Sequence, residues 1–112
     1  MKLPNYENAI VPREKIVDYL LSFVHKDGRA KAEFFTRFGF SKENWEVLAD
    51  ALKRHAEKYE VKKQEASAFG MRYIIEGELN APDGRKPKVR VVWFVENETD
   101  IPRLATAYPM RG

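Results

Sequence analysis

The stretch His25-Lys26-Asp27-Gly28-Arg29-Ala30-Lys31-Ala32-Glu33-Phe34-Phe35 sets one imidazole beside three cations, Lys26, Arg29 and Lys31, around a helix-breaking Asp-Gly pair. An imidazole titrates near neutrality, so it can take up or release a proton at physiological pH. The first turn of a helix carries partial positive charge and free N–H groups, and basic side chains beside it make a place that attracts phosphate. Those cations are mildly unfavourable for the helix itself, a local conflict of the kind that function explains. The same residues have a plainer reading, and on their own it leads: Lys26, Arg29 and Lys31 form a solvated face and His25 caps a helix end.

A second stretch, Pro102-Arg103-Leu104-Ala105-Thr106-Ala107-Tyr108-Pro109, reads as a strand. Strict alternation puts Leu104, Thr106 and Tyr108 on one face and Arg103, Ala105 and Ala107 on the other. Thr106 and Tyr108 then offer two hydroxyl groups to a phosphate or a base edge. The alternative is a strand-favouring threonine and an aromatic residue packed at the edge of the core. Arg72 and Arg90 fall in neighbouring strands, where they form either a cationic floor on a face left open by the helices or, opposite Glu76 or Glu78, ordinary cross-strand pairs. Trp45 and Trp93 are expected in the core.

Other chemistries find little support. His25 and His55 are the only histidines, thirty positions apart, with no carboxylate in a metal-ligand pattern, so no metal is expected. With no cysteine there is no thiol nucleophile and no disulfide, which fits a reducing compartment and an expected cytoplasmic location. The chain shows no nucleophile elbow, P-loop or dinucleotide fingerprint, and no cofactor is expected. Twenty basic against 17 acidic residues give a net charge of +3, too small a bias to mark a nucleic-acid coat and no obstacle to binding a polyanion. No apolar run is long enough to span a bilayer, and no secretory signal follows Met1.

The elements that must position these residues follow from periodicity. Residues 1–12 are expected to be extended, with Pro12 as the first helical residue. Ile16, Val17, Leu20, Leu21 and Val24 describe an apolar stripe on a helix ended by Asp27-Gly28. A second helix is expected from about Arg29 to Phe38, stopped by Gly39 in a left-handed cap. Ser41 is the expected N-cap of a third, whose inner stripe is Trp45, Leu48, Ala49, Leu52 and Ala56. After Tyr59 the period falls to two. A strand begins at Tyr59-Glu60-Val61, a second carries Met71, Tyr73, Ile75 and Leu79, and a third carries Val89, Val91, Trp93 and Val95. The turn Ala81-Pro82-Asp83-Gly84-Arg85 joins the last two, and after Asn97–Asp100 the strand Leu104 to Tyr108 closes the sheet. The expected fold is α+β, a single domain over residues 1–112: about three N-terminal helices on one face of a four-stranded antiparallel meander.

The order Tyr19-Leu20-Leu21, His25, Asp27-Gly28, Lys31-Ala32-x-Phe34-Phe35, Gly39-Phe40, Trp45, Gly70-x-x-Tyr73, Pro82-Asp83-Gly84, Trp93 and Pro102-Arg103-Leu104-x-Thr106-Ala107-Tyr108 resembles a bacterial family of domains of unknown function, DUF6883. The resemblance runs from about Asn8 to Pro109. Similar segments look like the C-terminal toxin modules of polymorphic and contact-dependent inhibition proteins. Those modules in turn resemble the superfamily of barnase, EndoU, colicin and RelE nucleases, which places helices before a four-stranded antiparallel sheet. The resemblance implies metal-independent RNA cleavage by the ribose 2′-OH, with His25, Lys31, Thr106 and Tyr108 as catalytic residues and a neutralising immunity protein as partner. Lys26, Arg29, Arg72 and Arg90 are added as phosphate-binding groups on the reading of the residues alone. Members of one fold use different catalytic residues, so a non-catalytic RNA- or protein-binding module stays open beside the enzyme. Such modules normally ride at the end of a long delivery protein. A chain opening on its own Met is expected to be an intracellular toxin–antitoxin component or a domesticated relative.

Overall fold

The computed structural model describes residues 1–110. The N-terminal segment is not simply extended: it forms a 3-10 turn at Tyr6–Asn8. Leu3, Ala9 and Val11 are buried in the core, and Ile10 bridges to Arg103 in parallel. Pro12 has extended backbone angles and caps the first helix from outside. That helix, α1, is an α-turn over Arg13–Lys15 that widens into a π-helical stretch over Ile16–Leu20. The Leu21 N–H reaches back to the Ile16 carbonyl at 2.8 Å, one residue further than in an α-helix.

The π step ends the helix at Leu20, well before Asp27-Gly28, and changes the phase of the apolar stripe. Ile16, Leu20 and Leu21 are all buried, whereas Val24 is 93% exposed. The chain turns instead at Ser22, whose Oγ accepts the N–H groups of Val24 (3.3 Å) and His25 (3.1 Å).

Helix α2 covers Arg29–Arg37 and stops where its sequence says it should. Gly39 adopts φ +99°, which lets its N–H reach the Thr36 carbonyl (3.0 Å) and the Phe40 N–H reach the Phe35 carbonyl (3.3 Å). The Phe35 and Phe40 rings close this Schellman cap with an apolar contact at 6.0 Å. Helix α3 covers Trp45–Lys58, one turn later than a Ser41 cap requires. Ser41 Oγ accepts the Asn44 N–H at 3.3 Å, ahead of the helix. Leu48, Ala49, Leu52 and Ala56 form its inner stripe with Ala51 and His55; Trp45 is only half-buried.

The sheet is a meander in the order β1 (Val61–Ser67), β2 (Gly70–Glu78), β3 (Lys88–Glu96) and β4 (Arg103–Pro109), antiparallel throughout. Short turns between consecutive strands leave no other order easily reached. Ile75, Val89, Val91, Trp93, Leu104 and Ala107 face the helices and join Ile16, Leu20, Leu48 and Leu52 in one core. The fold is therefore α+β, with the helices ahead of the sheet in the chain.

Strand β4 departs from strict alternation. Val92 pairs with Thr106 and the next residue, Trp93, pairs with Leu104, so Ala105 is an extra residue in the strand. The bulge reverses the phase. Leu104 points into the core with Ala107, and Thr106 shares the outer face with Tyr108 but not with Leu104.

Candidate functional site

A cleft of about 570 Å³ opens where α1 and the turn after it meet the bulged part of β4. Pro12, Glu14, Lys15, Asp18, Tyr19, His25, Arg103 and Ala105 line it. Tyr19 is its hub. The hydroxyl lies 3.1 Å from Thr106 Oγ1, and the His25 ring meets the Tyr19 ring edge-on with centroids 4.9 Å apart. The ammonium groups of Lys15 and Lys31 stand 5.4 and 5.3 Å from the centre of the same ring. Each is within cation–π range, which favours holding the cation there. Residues from α1, the following turn, α2 and β4 thus converge on one aromatic ring.

His25 shapes the start of α2. Its Nδ1 accepts the backbone N–H groups of Asp27 (3.0 Å) and Gly28 (3.1 Å). Its carbonyl accepts those of Gly28 and Arg29, both at 3.1 Å. Several of the N–H groups expected to await a phosphate at this helix start are therefore bonded to His25 itself. Two donors aimed at Nδ1 place the ring hydrogen on Nε2, so the neutral imidazole offers an N–H to whatever faces that edge. Lys31 Nζ donates to the Asp27 carbonyl at 3.1 Å, which draws it back toward the turn and over Tyr19. Lys26 and Arg29 are exposed, and Arg29 sits 3.6 Å from Glu33 along its own helix.

Tyr108 belongs to a second cluster on the outer sheet face. A trough of about 330 Å³ is lined by Lys62, Lys63, Ile74, Glu76, Arg90 and Tyr108. Arg90 lies opposite both Glu76 and Tyr108 in the sheet register and donates from Nε to Glu76 Oε2 at 2.7 Å. Its guanidinium is 5.7 Å from the Tyr108 ring centre. Hydrogen bonding to Tyr108, then to Glu76, raises the Arg90 pKa still further, so the group stays charged. Arg72 is 3.6 Å from Glu65 of β1. Both arginines are thus on the outer face with carboxylates beside them, the cross-strand arrangement rather than an unopposed cationic floor.

Of the eight residues singled out in the sequence, His25, Lys31 and Thr106 come together. Arg90 and Tyr108 form a neighbouring pair, and Lys26, Arg29 and Arg72 stand apart. Lys15, Tyr19 and Arg103 were not foreseen as site residues, nor were the carboxylates of Glu14 and Asp18. The spacing of Lys15 and Tyr19, one turn apart on a helix, was a signal available for the first two. Among the described residues no three His, Asp or Glu side chains could jointly hold a metal ion, and no helix is long and apolar enough to cross a membrane.

Three helices on one face of an antiparallel meander, with a cationic and aromatic cleft at the bulged edge strand, define an α+β domain built around a surface site. Residues 2–111 match the domain of unknown function DUF6883, and the chain belongs to that family. No curated protein matches the sequence. A solved chain from a contact-dependent growth inhibition toxin–immunity protein complex of Klebsiella pneumoniae 342 has a similar fold. It aligns over 96% of this chain and 97% of its own length, with a TM-score of 0.74 and 20% identity.

Proposed function

We propose that this domain is a toxin-type module that cleaves RNA without a metal ion, acting in the cytoplasm and restrained by a neutralising partner protein. The observation that carries the reading is the convergence of His25, Lys31 and Thr106, from three separate parts of the chain, on the Tyr19 ring beside a cleft. Family membership and a fold shared with a chain of a toxin–immunity complex support it.

In the reaction the ribose 2′-OH attacks the adjacent phosphorus. The P–O2′ bond forms as the P–O5′ bond breaks, the 2′ proton passes to a base, and the departing O5′ takes a proton. Cations are needed because charge builds on the non-bridging oxygens. Lys31 supplies one. His25, with its hydrogen on Nε2, donates a hydrogen bond to the phosphate, and O5′ takes its proton from a water that regains one from the protonated base. The base comes from the carboxylates in the cleft, Glu14 and Asp18, because Nδ1 of His25 is already bonded to two backbone N–H groups. Thr106 orients the phosphate through the Tyr19 hydroxyl it is bonded to, and Tyr108 with Arg90 meets the neighbouring nucleotide.

The test is cleavage of total RNA by the purified protein in excess chelator, alongside inducible expression in bacteria. Wild type should fragment RNA and arrest growth. Lys31→Ala should lower cleavage at least about tenfold, the effect of losing one charged contact to the transition state. Its thermal midpoint should stay close to that of wild type. Intact RNA in vitro together with unimpaired growth at high expression defeats the reading. The cap made by His25 favours one other outcome, a non-catalytic RNA binder, which would show salt-dependent RNA affinity without cleavage.

A further inference from the structure

Two ammonium groups share one tyrosine ring here, and stability does not ask for both. A single lysine over an aromatic face is modestly favourable, but a second brought to the same ring repels the first. Neither Lys15 nor Lys31 has a carboxylate within ion-pair distance among the described residues. Lys15 lies one turn before Tyr19 on α1, whereas Lys31 crosses over from α2. Two such cations beside one ring favour an anion nearby.

The hydroxyl of Tyr19 is aimed as well as held. Its one hydrogen-bond partner among the described residues is Thr106 Oγ1, at 3.1 Å. When the threonine hydroxyl donates to the phenol oxygen, the phenol hydrogen is free for a ligand in the cleft. Thr106 reaches this place only because the bulge at Ala105 puts it on the outer face of the edge strand. Tyr19, Lys15 and His25 line the cleft and Lys31 stands over the same tyrosine ring, so an anion received there meets hydrogen-bond donors and positive charge.

Resting on the ribonuclease reading, we propose that Tyr19 is a catalytic residue whose hydroxyl donates to a non-bridging oxygen of the scissile phosphodiester, with Lys15 and Lys31 neutralising the same oxygens. Thr106 is the positioning residue that fixes the phenol hydrogen. Tyr19 exchanges no proton in the step, and its bond to the phosphate shortens as charge develops.

Steady-state cleavage of a defined RNA oligonucleotide tests this with Tyr19→Phe, Thr106→Val and the double variant. Tyr19→Phe keeps the ring, and with it the contacts to His25 and both lysines, so the fold should be retained. It should lower kcat at least about tenfold with KM little changed, as expected for a donor used mainly in the transition state. Thr106→Val should lower kcat in the same direction, and the double variant should be no worse than Tyr19→Phe, because both remove one device. Lys15→Ala should weaken cleavage and reduce its salt dependence.

A Tyr19→Phe variant that matches wild-type kcat overturns the proposal while leaving the ribonuclease reading intact. A rise in KM alone also overturns it and reduces Tyr19 to a platform. If Tyr19→Phe fails to fold, Thr106→Val decides: unchanged kcat overturns the proposal. A wild-type protein inert on RNA overturns both this inference and the reading beneath it.

Discussion

Replacing Gly28 by alanine should destabilise the domain by about 2 kcal/mol or more, the upper part of the range for forcing an atom into packed space. Gly28 is buried and has ordinary backbone angles, φ −93° and ψ −17°, so conformational strain is not the cause. Space is the cause. A Cβ on Gly28 would overlap the backbone carbonyl oxygen of Tyr19, lie 3.0 Å from its carbonyl carbon and sit 3.3 Å from Cβ of His25. Backbone atoms cannot swing aside as a flexible side chain does, so the turn after α1 must back away from Tyr19. In open space the same change would gain up to about 1 kcal/mol by restricting the unfolded chain, which only partly offsets the clash. For a domain of this size the thermal midpoint should drop on the order of 10 °C. On the proposed function, RNA cleavage should fall beyond what unfolding explains, because His25 and Tyr19 are held together at this point. A midpoint within about 2 °C of wild type, well inside the shift expected for 1 kcal/mol, would show that the turn has slack.

Acid should weaken the fold through His55, a residue remote from the cleft. His55 is 2% exposed on the inner side of α3. Its Nε2 is 3.2 Å from the Gly77 carbonyl and donates to it, while Nδ1 is buried with no partner among the described residues. Burial pushes its pKa down to about 4, against a smaller upward pull from the bond to Gly77. The unfolded chain, with an ordinary value near 6.5, therefore binds a proton that the folded chain refuses over the interval between the two. Stability rises with pH wherever the unfolded state carries more protons. His55 costs nothing above about pH 6.5, and its penalty grows as pH falls toward 4. A shift of this size corresponds to about 3 kcal/mol at the bottom of that window. Urea unfolding at pH 7.5, 6.0 and 4.5 should show the decline, and His55→Gln should flatten it relative to wild type. Parallel pH profiles for the two proteins would assign the acid sensitivity to other groups.

Both effects arise where one backbone passes close to another element, which explains why the sequence showed neither the tight approach of Gly28 nor the burial of His55. Gly28 reads as the break that ends the first helix, whereas it is the N-cap of α2, and its tight approach to Tyr19 depends on a π step that lies in another turn of chain. His55 reads as a polar position near the end of an amphipathic helix. Its burial depends on the strand that supplies Gly77, twenty-two residues away.

The local signals carried much of the architecture. Pro82-Asp83-Gly84 makes its turn with Gly84 at φ +88° and Asp83 accepting the Arg85 N–H at 2.9 Å. Gly39 ends α2, and alternation in β2 and β3 picked out Ile75, Val91 and Trp93 for the core. Caps, turns and periodicity depend on neighbours a few residues apart, so the chain displays them without its fold. The amino-acid order by itself determined an α+β domain, helices before a meander, with His25, Lys31 and Thr106 as residues to watch. Only the tertiary structure decided that they meet, and that Tyr19 is where they meet. The bulge at Ala105 and the widened turn of α1 each shift a pattern by one residue. A one-residue shift turns a side chain to the other face, and packing between distant elements selects it.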